Sequence, residues 1–170
     1  MMETIDIETT VNPHTVEGLM EVMKKYVEMT YDGEEMSVPP TWFLMREDGS
    51  IGLLPAPFRN DHEKNFYSFL VRNLVSAANI YRLGFVSETW VVDSSMEDVS
   101  EDTVPSEHPD RKECFFFVVE DRIGSNLSAK WMIERDEDGK ASLGEYEVNK
   151  FEHMKGRFAN FFEEPPVRVS

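Results

Sequence analysis

Residues 112–121, KECFFFVVED, are an almost unbroken apolar run with charged residues at both ends. Its length suits a strand, and near-continuous apolar character is typical of a strand at the centre of a sheet. The chain has 170 residues, enough for one domain whose core needs neither disulfides nor metals. We therefore expect a single domain over residues 1–170, with this run as a central strand.

Further strands are predicted on both sides of this run. Residues 41–58 have two apolar stretches around an EDGS turn at 47–50, which is typical of a β-hairpin. Residues 126–135 alternate between apolar and polar side chains, as a half-buried strand does, and strand character is also found at 85–93 and 142–151. Because most connections between these strands are short, we expect antiparallel pairing.

The first helix is predicted in residues 12–30. Asn12 is a typical N-cap and Pro13 suits the first helical position. Apolar residues then recur at helical spacing, at Val16, Leu19, Met20, Met23, Tyr26 and Val27.

The second helix is predicted within residues 59–84. Asn60 and Glu63 have the spacing of a capping box, and Gly84 is well placed to end the helix. Its expected apolar stripe consists of Phe66, Phe69, Leu70, Leu74, Ala77, Ala78 and Tyr81.

These elements predict an α+β fold with a mainly antiparallel sheet of five to six strands. We expect the two main helices to pack on one face of that sheet. Residues 153–162 predict a further short helix near the C-terminus. Residues 1–11 and 163–170 are expected to be flexible.

The net charge is −16, from 33 acidic and 17 basic residues. Binding to nucleic acid or to an anionic membrane needs clustered lysine and arginine, so this balance disfavours both. We therefore expect a basic protein surface as the partner, with no direct contact to nucleic acid or membrane and no cofactor. The N-terminus has no signal-peptide pattern, and the single cysteine, Cys114, lies in an apolar run. A buried, reduced thiol and a cytoplasmic location are the expectation.

A strongly acidic connection, SSMEDVSEDTVPSEHPDR at 94–111, separates two predicted strands. The candidate partner-binding residues in it are Glu97, Asp98, Glu101, Asp102, Glu107 and Asp110. An active-site loop and a solvated insertion without a task are the other interpretations of this composition. The acidic binding surface is therefore a hypothesis.

Residues 134–145, ERDEDGKASLGE, match much of the calcium-loop template. The ligand slots hold Glu134, Asp136, Asp138 and Glu145, and the glycine slot holds Gly139. The template asks for Asp at the first slot and a helix on each side, whereas the upstream flank alternates as a strand does. We therefore interpret the segment as the acidic turn of a β-hairpin and keep a calcium-stabilised domain as an alternative.

A second site hypothesis is a small metal-dependent enzyme that uses Glu88, His108 and Asp110. It requires these side chains to converge, and the sequence has no histidine spacing typical of a metal site. Glu88 beside Trp90 also suits a general acid or base. An outward-facing charge on an edge strand is the favoured interpretation of Glu88.

The segment 153–162 places Met154, Phe158, Phe161 and Phe162 on one face of its predicted helix. These side chains either dock on the chain's own core or, if they are not buried there, form a homo-oligomer interface. A virion or assembly component is the function that corresponds to such an interface.

The strings TWFL, FVSETW and SEHPDRKE occur in this order around a central predicted helix. Together they resemble uncharacterised proteins of phages and bacteria over residues 38–135. The resemblance implies origin and an intact fold, and the family has no assigned activity from which a residue's role can be carried over. The function we predict is a non-enzymatic acidic interaction protein. Its most specific form is a nucleic-acid mimic or an inhibitor of a host or defence protein.

Overall fold

The computed structural model describes residues 3–4, 14–34, 37–91, 109–149 and 161–162, with residues 3–4 described by their backbone alone. In chain order the elements are β1 (Glu3–Thr4), α1 (Val16–Thr30), β2 (Thr41–Arg46), β3 (Ile51–Pro55), α2 (Asp61–Ala77), β4 (Ile80–Val91), β5 (Lys112–Asp121), β6 (Asn126–Arg135) and β7 (Ala141–Asn149). The predicted α+β class is confirmed, with more strand than helix.

One sheet contains all the described strands, in the order β1-β3-β2-β4-β5-β6-β7. Every neighbouring pair in it is antiparallel, as predicted. The strand built from the apolar run, β5, lies inside the sheet between β4 and β6. The predicted hairpin of β2 and β3 is also confirmed, and the two-residue β1 pairs with its outer strand.

The first helix, α1, covers the larger core on one face of the sheet. Its N-cap is Thr15, whose hydroxyl accepts a hydrogen bond from the Gly18 amide at 2.9 Å. The helix therefore begins later than the predicted cap at Asn12. Its buried side chains pack on alternate residues of the neighbouring strands, among them Phe115 and Phe117 of β5.

The two helices lie on opposite faces of the sheet, which corrects the prediction that both pack on one face. On β2, Phe43 and Met45 belong to the core under α1, whereas Trp42 and Leu44 belong to the core under α2. Successive side chains of a strand point to opposite faces, so a strand with an unbroken run of buried residues needs cover on both sides. The result is three layers, with the antiparallel sheet between α1 and α2.

The second helix, α2, begins as predicted but ends earlier. Asn60 is its N-cap, and the side-chain oxygen accepts a hydrogen bond from the Glu63 amide at 2.9 Å. The helix ends before Asn79, whose φ of +53° is the left-handed conformation that closes many helices. Gly84 instead lies inside β4, where an added Cβ would collide with the Met23 sulfur of α1. Glycine at this position therefore lets α1 approach the sheet closely.

The predicted apolar stripe of α2 is confirmed at Leu70, Leu74 and Ala78, which pack against the core under the helix, and is wrong at its first two phenylalanines. Phe66 and Phe69 are 58% and 60% exposed, whereas Ser68, Val71 and Val75 face the sheet. The strands beneath already present large aromatic side chains to this layer, and the fully buried positions of the helix are the smaller residues.

Two further predictions fall mainly outside the described residues. The short helix predicted at 153–162 is described only at Phe161 and Phe162. Of the segments predicted to be flexible, 1–11 and 163–170, only Glu3–Thr4 is described, and it forms β1.

Candidate functional site

Antiparallel strands collect their connections at two opposite ends of a sheet. At one end, β4 finishes at Val91, which pairs with Lys112 at the start of β5. The β6–β7 turn lies beside these residues, because Arg135 Nε donates a hydrogen bond to Glu113 Oε2 at 2.7 Å. Both ends of the acidic β4–β5 connection are therefore neighbours of the acidic β6–β7 turn.

The loop that follows α1 reaches the same end of the sheet. A Cβ added to Gly33 would stand 3.8 Å from the backbone oxygen of Ala141 at the start of β7. We call this surface the acidic end, and its exposed described carboxylates are Asp32, Glu34, Asp110, Asp136, Glu137 and Asp138.

One of the predicted partner-binding residues, Asp110, is described, and it is exposed at the acidic end. The others, Glu97, Asp98, Glu101, Asp102 and Glu107, lie outside the described residues. The described positions that flank them, Val91 and Asp110, both belong to the acidic end.

Glu88 is half-buried on β4, the middle strand of the sheet, so the predicted edge-strand position is wrong. It lies two residues after Val86, a member of the core under α1, and therefore points to the same face. There it acts on Tyr31, whose pKa is raised first by burial and then by the Glu88 charge. His108 lies outside the described residues, so the grouping of Glu88 with His108 and Asp110 stays a prediction.

The calcium-like segment forms the turn between β6 and β7, as its hairpin interpretation predicts. Asp136 Oδ1 accepts hydrogen bonds from the amides of Asp138 at 3.0 Å and Lys140 at 2.8 Å. Gly139 has a φ of +79°, which favours glycine. The Asp136 carboxylate therefore holds the turn together.

The remaining residues of the calcium template lie on strands rather than in an ion-binding loop. Glu134 is the second-last residue of β6 and lies against Gly144 of β7, where an added Cβ would meet its Oε1 at 2.5 Å. Glu145 is exposed on β7. In the part of the chain that the structure describes, no group of three or more His, Cys, Asp or Glu side chains is arranged to hold a metal ion.

The predicted aromatic contact near the C-terminus is described only in part. Phe161 is buried in the core under α2, with its ring 4.9 Å from the ring of Trp42, and Phe162 packs against the same core. Phe161 is therefore covered by its own chain, which removes it from the predicted homo-oligomer interface. Met154 and Phe158 lie outside the described residues.

Cys114 is fully buried, as predicted. Burial raises the pKa of its thiol to about 11, against a smaller lowering effect of Lys130. At neutral pH the thiol is therefore protonated, which is the unreactive form.

The opposite end of the sheet holds a cleft that the sequence did not reveal. We call it the arginine cleft. It has a volume of about 230 Å³ and is lined by His14, Arg46, Glu47, Tyr81 and Arg82. These side chains come from three places: the residue before the α1 cap, the end of β2 with its turn, and the start of β4.

A β-bulge shapes the cleft. β2 pairs Met45 with Arg82 and Arg46 with Ile80, so Tyr81 has no partner on β2. Bulges redirect side chains and are common beside functional sites. The Tyr81 ring lies 5.1 Å from the guanidinium carbon of Arg82, and both residues line the cleft.

Arg82 is the buried residue among those that line the arginine cleft. Its side chain is 6% exposed, and its Nε lies 3.7 Å from Oδ2 of Asp121, whose side chain is 3% exposed. Nη1 contacts the Met45 sulfur at 3.3 Å, and sulfur is a weak acceptor. Within the described residues, Nε has no hydrogen-bond acceptor. The buried Arg82 cation is thus held by the Asp121 carboxylate at 3.7 Å, by the Met45 sulfur and by the Tyr81 ring.

No sequence motif marks the cleft, because three separate segments supply its walls. One signal was available: Arg82 interrupts the apolar stretch IYRLGF at the start of β4. Arginine is almost never buried unless it is paired. A charged residue inside an apolar strand therefore predicts a charged or polar partner from another segment of the chain.

No protein-family model matches the sequence, and no curated protein or solved structure is detectably similar to it. None of the described helices is long and apolar enough to cross a membrane. The two ends of the sheet are therefore the features that bear on function, and the resemblance to phage and bacterial proteins stays a prediction.

Proposed function

We propose that this protein is a non-enzymatic acidic interaction protein whose acidic end binds a basic surface of a partner protein. The observation that carries the proposal is the clustering of acidic turns at one end of the sheet. In the most specific form of the proposal, the partner is a nucleic-acid-binding protein and the acidic end occupies its cationic site.

Hydrogen bonds within the turns hold part of the acidic end in place. Asp32 Oδ1 accepts a hydrogen bond from the Glu34 amide at 2.8 Å, and Asp136 accepts two from the β6–β7 turn. Side chains that are already ordered lose less conformational freedom on binding than side chains on a free chain. These carboxylates therefore suit a preorganised anionic contact.

Electrostatic attraction between the acidic end and a cationic surface acts before contact. It speeds association and weakens as salt screens it over a Debye length of about 8 Å at physiological ionic strength. Solubility alone requires net charge but does not require its concentration on neighbouring turns. The position of the carboxylates is thus a better guide to binding than the total of −16.

Two variants with equal net charge separate the acidic end from total charge. The test variant carries Asp110→Asn, Glu137→Gln and Asp138→Asn. The matched control carries Glu17→Gln, Glu145→Gln and Glu147→Gln, which are exposed residues elsewhere on the protein. Binding of the full chain to a fluorescent oligolysine probe is measured by anisotropy, at low and at physiological salt.

We expect the test variant to lose about tenfold in affinity and the control less than about twofold. A third variant extends the test to the connection between β4 and β5 and carries Glu97→Gln, Asp98→Asn, Glu101→Gln and Asp102→Asn. We expect this variant to lose at least as much affinity as the test variant. Equal losses in the test variant and the control would show that total charge drives binding. Affinity that does not fall with added salt would exclude the proposed electrostatic contact.

A further inference from the structure

We propose that the arginine cleft is a binding site for a small oxyanion of the phosphate class, either free phosphate or the phosphate group of a small phosphomonoester. The cleft lies at the end of the sheet opposite the acidic end, so this site is independent of the partner-binding function. It is also a concentration of cations in a molecule whose net charge is −16.

The donors in the cleft match the chemistry of phosphate. Arg46 and Arg82 carry guanidinium groups, whose planar forks fit two oxygens of one phosphate group. His14 adds a ring nitrogen, and Tyr81 adds a hydroxyl on the bulge. The four side chains line one space, which is the arrangement that an oxyanion with several acceptor oxygens requires.

The buried position of Arg82 is the strongest single observation. Its Nε is a buried donor with no hydrogen-bond acceptor among the described residues, and the Asp121 oxygen is 3.7 Å away. Buried donors are usually paired at hydrogen-bond distance, so an arginine that lines a cleft and has its carboxylate partner only at 3.7 Å suits a further anionic partner. The small exposed part of the Arg82 side chain lines the cleft, where its guanidinium charge attracts an anion in a partly desolvated setting.

The N-terminus of α1 adds to the attraction. His14 lies just before the Thr15 cap, and its ring is held against the β2–β3 turn, where a Cβ on Gly49 would stand 2.9 Å from its Cε1. First-turn amides and the helix dipole favour an anion at this position. The helix end is a supporting feature, and the buried arginine is the independent one.

Glu47 favours a ligand that carries a hydroxyl group as well as a phosphate group. Its carboxylate lines the same cleft, where it would repel an anion but accept a hydrogen bond from a hydroxyl group. The volume of about 230 Å³ is also more than a phosphate ion alone would fill. A hydroxyl-bearing phosphomonoester, with its phosphate at the arginines and a hydroxyl at Glu47, satisfies both features.

The test uses the full chain and two probes, inorganic phosphate and glycerol 3-phosphate. Affinity is measured by calorimetry, and the binding position by amide shifts in two-dimensional NMR spectra. The test variant is Arg46→Gln, which removes an exposed donor and leaves the buried pair intact. The matched control is Arg59→Gln, an arginine with an 88% exposed side chain that pairs with Glu63 on α2.

We expect saturable binding with shifts centred on residues 46–49 and 80–82. Arg46→Gln should weaken it about fivefold or more, and Arg59→Gln less than about twofold. Asp121→Asn should tighten it, because the carboxylate that competes for Arg82 is gone; if that variant does not fold, the comparison of Arg46→Gln with Arg59→Gln decides alone.

The two probes distinguish the source of the phosphate group. A preference for glycerol 3-phosphate over inorganic phosphate that is lost in Glu47→Leu, which removes the acceptor oxygens, assigns the site to a phosphomonoester. Equal binding of the two probes assigns it to free phosphate. Absence of saturable binding by either probe would overturn the proposal. So would equal weakening in Arg46→Gln and Arg59→Gln, or the same amide shifts with chloride at equal ionic strength.

Discussion

β5 contributes a carboxylate to an ion pair at each end of the sheet, and the two pairs sit in opposite surroundings. At the acidic end, Arg135 and Glu113 are 42% and 28% exposed and share two hydrogen bonds of 2.7 and 3.1 Å. At the arginine cleft, Arg82 and Asp121 are 6% and 3% exposed and approach no closer than 3.7 Å. The more exposed pair, Arg135–Glu113, therefore has the shorter distances between its charged groups.

Burial, more than distance, decides what each pair contributes. Water screens the exposed pair, and such pairs typically stabilise a fold by less than about 1 kcal/mol. The buried charges have lost their hydration, so removal of either one leaves the other uncompensated at a cost of about 3–5 kcal/mol. The Arg135–Glu113 pair can therefore exchange its contacts with little loss, whereas the Arg82–Asp121 pair is fixed in place by its burial.

The largest expected effect comes from the buried pair. Asp121→Asn keeps the side-chain oxygen that accepts a hydrogen bond from the Ser125 amide at 2.8 Å but removes the charge that faces Arg82. We expect it to lower the free energy of unfolding by about 3 kcal/mol, measured by urea denaturation. Glu113→Gln, the matched change at the acidic end, should cost less than about 1 kcal/mol. Similar losses in the two variants would contradict the contrast between the ends.

A smaller effect is expected at the β6–β7 turn. Asp136→Ala removes the acceptor of two turn amides, so we expect a loss of about 1 kcal/mol in the free energy of unfolding. Asp138→Asn, an exposed neighbour in the same turn, should change stability by less than about 0.5 kcal/mol. If the two variants are equally stable, Asp136 is a surface charge only and does not hold the turn.

The smallest expected effect is on the titration of Tyr31 at the acidic end. A negative charge nearby disfavours the phenolate, so Glu88→Gln should lower the raised pKa of Tyr31, although burial, the larger cause, remains. The measurement is an NMR titration of the tyrosine ring carbons, with Glu17→Gln at the other end of α1 as the control. An unchanged titration in Glu88→Gln would mean that the two groups do not interact.

Because the pKa of Tyr31 is raised in the folded protein, the free energy of unfolding is expected to decrease at high pH. Below about pH 10 the phenol is protonated in both the folded and the unfolded chain, and its full contribution is present. Above that pH the unfolded chain binds fewer protons than the folded one, so stability declines as pH rises through the folded pKa. Tyr31→Phe should show a shallower decline in the urea midpoint over this range.

Local features were predicted well. Asn60 caps α2 as expected because the bond to the Glu63 amide depends on residues three apart. The Asp-Gly turn was preferred to a calcium loop because the alternation of β6 is visible in the neighbouring residues. The central position of β5 follows from its own apolar run.

The predictions of which face of the sheet each helix covers, and which residues of α2 are buried, were wrong where they depended on distant segments of the chain. Phe66 and Phe69 are large apolar side chains, yet they are exposed, and the fully buried positions of α2 against the aromatic layer of β2 and β4 are smaller residues. The unbroken apolar runs of β2 and β5 were the signal that the sheet is covered on both faces. These apolar runs predict a helix on each face of the sheet, against the expectation that both helices pack on one face.

By itself, the sequence determined the class of fold, the two main helices and most of the strands, the N-cap of α2, the hairpin turns and a surplus of carboxylates. Each of these depends on composition or on residues a few positions apart. Only the tertiary structure decided which face each helix covers and that Arg46, Arg82 and His14 share one cleft at the end of the sheet opposite the acidic end. The physical reason is that these arrangements follow from strand pairing and core packing between segments far apart in the chain, whose partners no local pattern encodes.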